Sequence, residues 1–222
     1  MSSSGYAPFV HQGETYSTWY KMVGDPKSGH RPLVTLHGGP GMSHHYMLPH
    51  AQLHALYGVP VVFYDQIGIG RSTHLRDKPA GFWTMDLFMD ELDNLLVHLG
   101  IQDDFDLLGN SWGAMLAGHY AAHRRPPGMK HVVIANGGAS MALWETGTKL
   151  LLKRLPHDAR DAIEQGEREG KRETEEYKAA MKVFQMKHIC KVDPWPQELI
   201  MSFAAIDEDP TVYSTMYVAP HP

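Results

Sequence analysis

The chain has a single cysteine, Cys190, among 222 residues, so no disulfide can close within it. Nowhere does an apolar run approach the roughly 18 residues that a membrane span needs, and no membrane partner is expected. There is no long basic run and the formal net charge is -5, which leaves neither nucleic acid nor an anionic membrane as an evident partner. The opening Met1-Ser-Ser-Ser-Gly-Tyr-Ala-Pro lacks the basic and apolar regions of a signal peptide. Together these absences point to a reduced, cytoplasmic setting. Internal repeats are missing too. What is present is a 43% hydrophobic composition, enough for one main domain with an insertion.

The chain is organised around residues 104–115, Asp-Phe-Asp-Leu-Leu-Gly-Asn-Ser-Trp-Gly-Ala-Met. A short apolar strand (Phe105, Leu107, Leu108) runs into Gly109-Asn-Ser-Trp-Gly113, and a helix rich in Ala and Gly follows at once. Strand, G-x-S-x-G turn and helix in this order form a nucleophile elbow, which holds its serine in strained geometry above the sheet edge. Ser111 is the candidate nucleophile. The bare pattern is also met by ordinary β-α turns, so a second motif is needed. Pro32 to Leu36 supplies it, as a buried strand that empties into His37-Gly-Gly-Pro-Gly41 and leaves backbone N–H groups free. Such a loop provides one donor of an oxyanion hole, the N–H of the residue after the nucleophile, Trp112, providing the other.

The remaining segments give the architecture. Glu14 to Val23 alternates as an edge strand or hairpin arm, with its turn at Gly24-Asp25-Pro26. A helix is expected to begin near Pro49. His50 and His54 on that helix, with His44 and His45 upstream, invite a metal reading, but no carboxylate or cysteine completes a ligand set. No metal and no cofactor is expected. Val59 to Tyr64 is a strand followed by Gly68 and Gly70, which do not meet G-x-G-x-x-G. Asp65 and Arg71 there are expected to pair or to cap local backbone. Asp86 to Leu99 reads as an amphipathic helix closed by Gly100, and His131 to Ala135 as a further strand. This alternation predicts an α/β fold with a mostly parallel sheet and helices on both faces. From about residue 140 the strand signal stops and charged helical patterns take over. The expected domains are a core over 1–138, a helical cap over 139–217 with the segment from Asp158 to Glu176 as its solvated face, and a divergent tail over 218–222. Trp195 is expected to anchor the start of one cap helix.

Five ordered motifs carry a resemblance: residues 37–44 (HGGPGMSH), 64–72 (YDQIGIGRS), 109–113 (GNSWG), 188–195 (HICKVDPW) and 209–213 (DPTVY). From about residue 6 to 217 the chain resembles the proline iminopeptidase family, α/β-hydrolase serine peptidases that also include fungal L-amino-acid amidases. The resemblance implies release of an N-terminal residue, often proline, from short peptides, or hydrolysis of amino-acid amides. It implies Ser111 as nucleophile, Gly39 and Trp112 as oxyanion donors, and Gly38 and Tyr213 as substrate-binding residues, with Tyr213 near the substrate amine. The oligomeric state is left open.

The sequence also departs from the family. There the tyrosine region continues into Gly-Pro-x-Glu-Phe, whose glutamate grips the α-amine, whereas here Met216-Tyr217 is followed by Val-Ala-Pro-His-Pro. In this fold the acid and the base follow the nucleophile, on loops after the last strands. The chain is therefore expected to be C-terminally truncated, with the last strands of the sheet missing and neither acid nor base of the triad present. Ser111 then has nothing to take its proton. His37, His188 and His221 are poorly placed substitutes. The His131 to Ala135 strand is expected to be left as an apolar edge. Two alternatives stand beside an impaired hydrolase of this type: a non-catalytic remnant or binding protein, and an esterase or lipase. Dehalogenases and epoxide hydrolases usually carry aspartate at the elbow, so Ser111 disfavours both.

Overall fold

Gln12 and Gly13, with φ of 51° and 81°, make the two-residue turn that folds the first strands into a hairpin. In this computed structural model, which describes residues 2–218, β1 (Ser2–His11) pairs antiparallel with β2 (Glu14–Val23). β2 is thus an inner strand with β1 outside it, and it pairs in turn with β4 (Val61–Tyr64). The edge position considered for Glu14 to Val23 is corrected here: the turn signal lay at Gln12-Gly13 as well as at Gly24.

β3 (Leu33–Leu36), β4, β5 (Phe105–Asn110) and β6 (Met129–Ala135) run parallel, and the sheet order is β1-β2-β4-β3-β5-β6. The four residues of β3 and the four of β4 are all buried, as expected of strands covered on both faces. Successive side chains point to opposite faces. Val62 and Tyr64 join a core with Leu87, Phe88, Leu92 and Leu95 of α2 (Met85–Leu99) and Leu116, Ala117 and Tyr120 of α3 (Trp112–His123). Val61 and Phe63 face the other way, onto Met47, Leu48 and Leu53. Leu87, Leu92, Leu95 and Leu116, fully buried, contribute about 1.5–3 kcal/mol each by burial.

The helix expected from Pro49 begins earlier. A 3-10 helix spans His44–Ala51 with Pro49 inside it, and α1 (Gln52–Tyr57) continues it to Gly58 at φ 72°. α2 follows the sequence expectation closely. Thr84 caps it by accepting from the Leu87 N–H, and Gly100 ends it at φ 67°. Val133 and Ile134 of β6, the last strand of the described sheet, are about half exposed.

The chain divides into two compact units. Ser140–Gln197 forms one. It holds α4 (Met141–Leu152), α5 (His157–Glu169) and α6 (Glu175–His188) around a small core of Leu155, Ala159, Ile163 and Ala180. The charges of α5 surround that apolar stripe on its outer side, and Trp195 donates its indole N–H to the Cys190 carbonyl at 3.2 Å. Residues from Glu198 onward, with α7 (Gln197–Glu208) and α8 (Thr211–Tyr213), group with the sheet instead. Hydrogen bonds explain this: Ser202 bonds to Ser43 and Tyr46, and Asp209 to His74 and Arg76. Of the tail expected over 218–222, residues 219–222 lie outside the described residues, and so does His221.

Candidate active site

β5 ends at Asn110 and α3 begins at Trp112, so Ser111 alone makes the turn. Its φ of 55° and ψ of -119° lie where non-glycine residues rarely go, at a cost of order 1–3 kcal/mol. The surroundings hold it there. The Ser111 N–H donates to the Ala135 carbonyl at 2.9 Å, and the Ser111 carbonyl accepts from the N–H groups of Ala114 and Met115 at 3.0 and 3.1 Å. The flanking glycines are a packing requirement. A Cβ on Gly109 would strike the backbone of Gly113 and Ala114, and one on Gly113 would strike the Leu36 carbonyl. β5, α3 and β3 meet through backbone at this point.

Leu36 and Gly109 are register partners, so the loop after β3 emerges beside the elbow. A Cβ on Gly38 would lie 3.0 Å from the Ser111 Cβ, 3.0 Å from the Tyr46 hydroxyl and 3.1 Å from the Asn110 carbonyl. Gly39 and Gly41 have φ of 119° and 108°, a region that disfavours any residue with a side chain. Tyr213 packs on Gly41, where a Cβ would come within 3.0 Å of the Tyr213 Cβ. Among the described residues, neither the Gly39 N–H nor the Trp112 N–H has an acceptor. The structure thus gathers Gly38, Gly39, Ser111 and Trp112 at the ends of β3 and β5, with Tyr213 reaching them through Gly41.

Three side chains that the sequence reading did not assign hold this arrangement. Tyr46 accepts from the Gly38 N–H at 2.6 Å and donates to Asn110 Oδ1 at 3.0 Å, and burial raises its phenol pKa. Gln66 donates to the His37 carbonyl at 3.0 Å and accepts the Trp112 indole N–H at 3.0 Å, so it joins the glycine loop to the elbow. His37 is fully buried, and burial pushes its pKa down to about 4. Its Nε2 accepts from the Gln66 N–H at 3.0 Å, which places the ring proton on Nδ1, facing the Gly38 carbonyl at 3.1 Å. His37 and Gln66 lie within the quoted motifs at 37–44 and 64–72 and Tyr46 two residues past the first, but nothing local to any of them names its partner.

Asp65 caps local backbone, as one of the two expected roles had it. Its carboxylate accepts from the N–H of Arg71 at 3.0 Å and from His44 through both N–H and Nδ1. The Arg71 side chain does not pair with it; the guanidinium lies 4.8 Å from the Trp19 ring centroid. Asp209 holds the turn that carries Tyr213. It accepts from His74 Nδ1 at 2.5 Å, Arg76 Nε at 3.2 Å and the N–H and hydroxyl of Thr211 at 3.1 and 2.6 Å. Burial works to raise its pKa, but these bonds outweigh it and hold the carboxyl at about 2. Among the described residues, Ser111 Oγ makes no hydrogen bond.

A mostly parallel sheet with a strained serine between β5 and α3 defines an α/β-hydrolase. Residues 31–205 match the alpha/beta hydrolase fold family. A crystal structure of VinJ superposes with a TM-score of 0.93 at 45% identity, covering 99% of this chain and 72% of that one. The proline iminopeptidase of Mycobacterium smegmatis gives a TM-score of 0.87 at 39% identity over 98% and 72%. The proline iminopeptidase of Clostridium botulinum is 35% identical over 186 residues, which is 84% of this chain and 61% of the relative. The chain belongs to the proline iminopeptidase family of α/β-hydrolases, and it spans about 61% of the length of that curated relative.

Proposed function

We propose that the chain carries the nucleophile and the oxyanion-binding part of a serine hydrolase of the proline iminopeptidase type. Such an enzyme acts on short peptides with a free N-terminal residue, or on amino-acid amides. The observation that carries this reading is the backbone of Ser111, strained at φ 55° beside a glycine loop whose Gly39 N–H is without an acceptor among the described residues. In this reading Ser111 Oγ attacks the acyl carbon, and the Gly39 and Trp112 N–H groups take the developing negative charge, at roughly 3–4 kcal/mol per donor. Gly38 leaves room for the acyl group against the nucleophile, and Tyr213 lies near the substrate amine.

The proton of Ser111 needs a base, and in this reading the 222-residue chain alone is impaired for want of one. Two facts support this. Ser111 Oγ has no hydrogen-bonded imidazole among the described residues, and both ring nitrogens of the buried His37 are already committed. The test is turnover of prolyl and alanyl p-nitroanilides by the chain and by Ser111→Ala, with and without added imidazole as an external base. The expected result is background activity for both without imidazole and Ser111-dependent release with it. Equal rates for the two proteins in imidazole would remove Ser111 as nucleophile. Ser111-dependent turnover without imidazole would keep the hydrolase reading and overturn the impairment.

A further inference from the structure

Away from the elbow, a half-open cavity of about 260 Å³ is lined by Ser2, Ser3, Trp19, Lys21, His45 and Arg71 among others. Three of its basic groups come from separate elements: Lys21 from β2, His45 from the 3-10 helix and Arg71 from the loop after β4. Among the described residues none of the three has a carboxylate within ion-pair distance, although the chain as a whole is acidic at net charge -5. Like charges held together without counter-charge repel one another. Burial, together with the neighbouring charges of His44, Arg71 and Lys21, lowers the pKa of His45. Asp65, whose charge works against that lowering, is buried and already accepts from His44 and the Arg71 N–H.

The cationic wall is also organised in advance. Arg71 is stacked over Trp19, whose other neighbour is the His44 ring at 4.5 Å between centroids, and His44 in turn stacks on His45 at 4.2 Å. His45 Nδ1 is fixed by Ser43 Oγ at 2.8 Å. The volume is just below that of pockets for drug-sized ligands, so it suits a small ion or the head of a small molecule rather than a peptide. A guanidinium, an ammonium and several hydroxyls offer more donors than the two oxygens of a carboxylate can take, whereas a phosphate presents three acceptor oxygens and up to two charges.

We propose that this cavity is a binding site for a phosphate group, with Lys21 and Arg71 as its charge partners and His45 and the hydroxyls of Ser2 to Ser4 completing the cradle. The site does not rest on the hydrolase reading, since Ser111 is not part of it.

The test is calorimetric titration of the purified chain with inorganic phosphate in a chloride buffer of moderate ionic strength, which screens diffuse attraction. Histidine ring resonances are followed in parallel by NMR. Saturable binding to one site is expected, with the His45 resonances shifting along the titration. Lys21→Met should weaken it at least tenfold, while Lys27→Met, in the turn after β2, should leave it unchanged. Arg71→Gln should weaken it similarly, and because that change removes the stack on Trp19, Lys21→Met carries the test if Arg71→Gln unfolds. Glycerol 3-phosphate separates the sources of the group: tighter binding than inorganic phosphate assigns a phosphomonoester, and equal or weaker binding assigns the free ion. The proposal falls if phosphate does not saturate, if Lys21→Met binds as well as the parent, or if acetate competes as strongly as phosphate.

Discussion

The phenolic oxygen of Tyr46 accepts from the backbone N–H of Gly38 at 2.6 Å, and its O–H donates to Asn110 Oδ1 at 3.0 Å. One hydroxyl therefore ties the glycine loop to the residue that precedes the nucleophile. Tyr46→Phe keeps the ring and removes both bonds, leaving a part-buried N–H and a part-buried amide oxygen unanswered. The expected cost is about 1–3 kcal/mol, read as a lower denaturation midpoint with an unchanged slope. Imidazole-supported turnover, where Ser111 provides it, should fall further than the folded fraction does. A midpoint within experimental error of the parent's would show that water replaces the hydroxyl.

The glycines of the chain divide by what a methyl group would meet. At Gly113 it meets the Leu36 carbonyl and at Gly109 the Gly113 carbonyl, both of them backbone that cannot rotate away. At Gly147, inside α4, it meets nothing within 4 Å. Gly113→Ala should therefore destabilise by more than about 3 kcal/mol, at the large end of single substitutions. Gly147→Ala should gain about 0.5–1 kcal/mol through helix propensity. Thermal melts of both variants decide the matter, and a Gly113→Ala protein that melts with the parent would mean that β3 and α3 can separate at no cost.

That contrast also marks how far the sequence could be read. G-x-S-x-G and HGGPG were legible because they are backbone requirements: only glycine satisfies the close approach at 109 and 113 and the φ of Gly39 and Gly41. Buried strands such as Val61–Tyr64 were legible because continuous apolar runs have few other uses. β1 was missed because Ser2–His11 carries three serines and a proline, and its burial depends on α2 covering Ala7 and Phe9. The 3-10 start at His44 was missed because Ser43 gives it no side-chain cap, leaving Pro49 as the visible signal. Tyr46, Gln66 and Glu91 act through partners up to 73 residues away, and no local pattern announces such pairings.

Glu91 and His37 should give the fold a pH profile with one sloping alkaline side. Glu91 is fully buried, and desolvation raises its pKa to about 8 against the hydrogen bonds from Thr18 and the Ile67 N–H. The native state then holds a proton that the unfolded chain loses above about 4.5, so this contribution declines as pH rises from 4.5 to 8. His37, lowered to about 4, works in the opposite sense: the unfolded chain holds the proton up to about 6.5, so stability from this group grows from pH 4 to 6.5. Between 4.5 and 6.5 the two slopes offset, and from 6.5 to 8 only the Glu91 decline is left, about 2 kcal/mol in all. Glu91→Gln should remove that decline. Denaturation midpoints of the two proteins at pH 6 and pH 8 test this, and parallel losses would place the titrating group elsewhere.

Asp209 anchors the turn that carries Tyr213 to the rest of the sheet unit, through His74, Arg76 and Thr211. Its side chain is 1% exposed, so water cannot replace these partners. Because its carboxyl is held at about 2, below the ordinary 3.9, its contribution is complete above pH 4 and is lost as pH falls toward 2. Asp209→Asn keeps the shape and removes the charge, and its amide nitrogen then faces either His74 and Arg76, which share Oδ2, or the N–H and hydroxyl of Thr211, which share Oδ1. The expected loss is about 2–3 kcal/mol at pH 7, close to the upper range for a hydrogen bond to a charged group. At pH 2 the difference between parent and variant should narrow, since the parent carboxyl is then half protonated. Hydrogen exchange gives the local reading. Amides of Thr211 to Ser214 should exchange faster in the variant at pH 7, while those of β5 follow only the global change. Faster exchange in β5 with 211–214 unaffected would put the anchoring role of Asp209 in the core rather than in the Tyr213 turn.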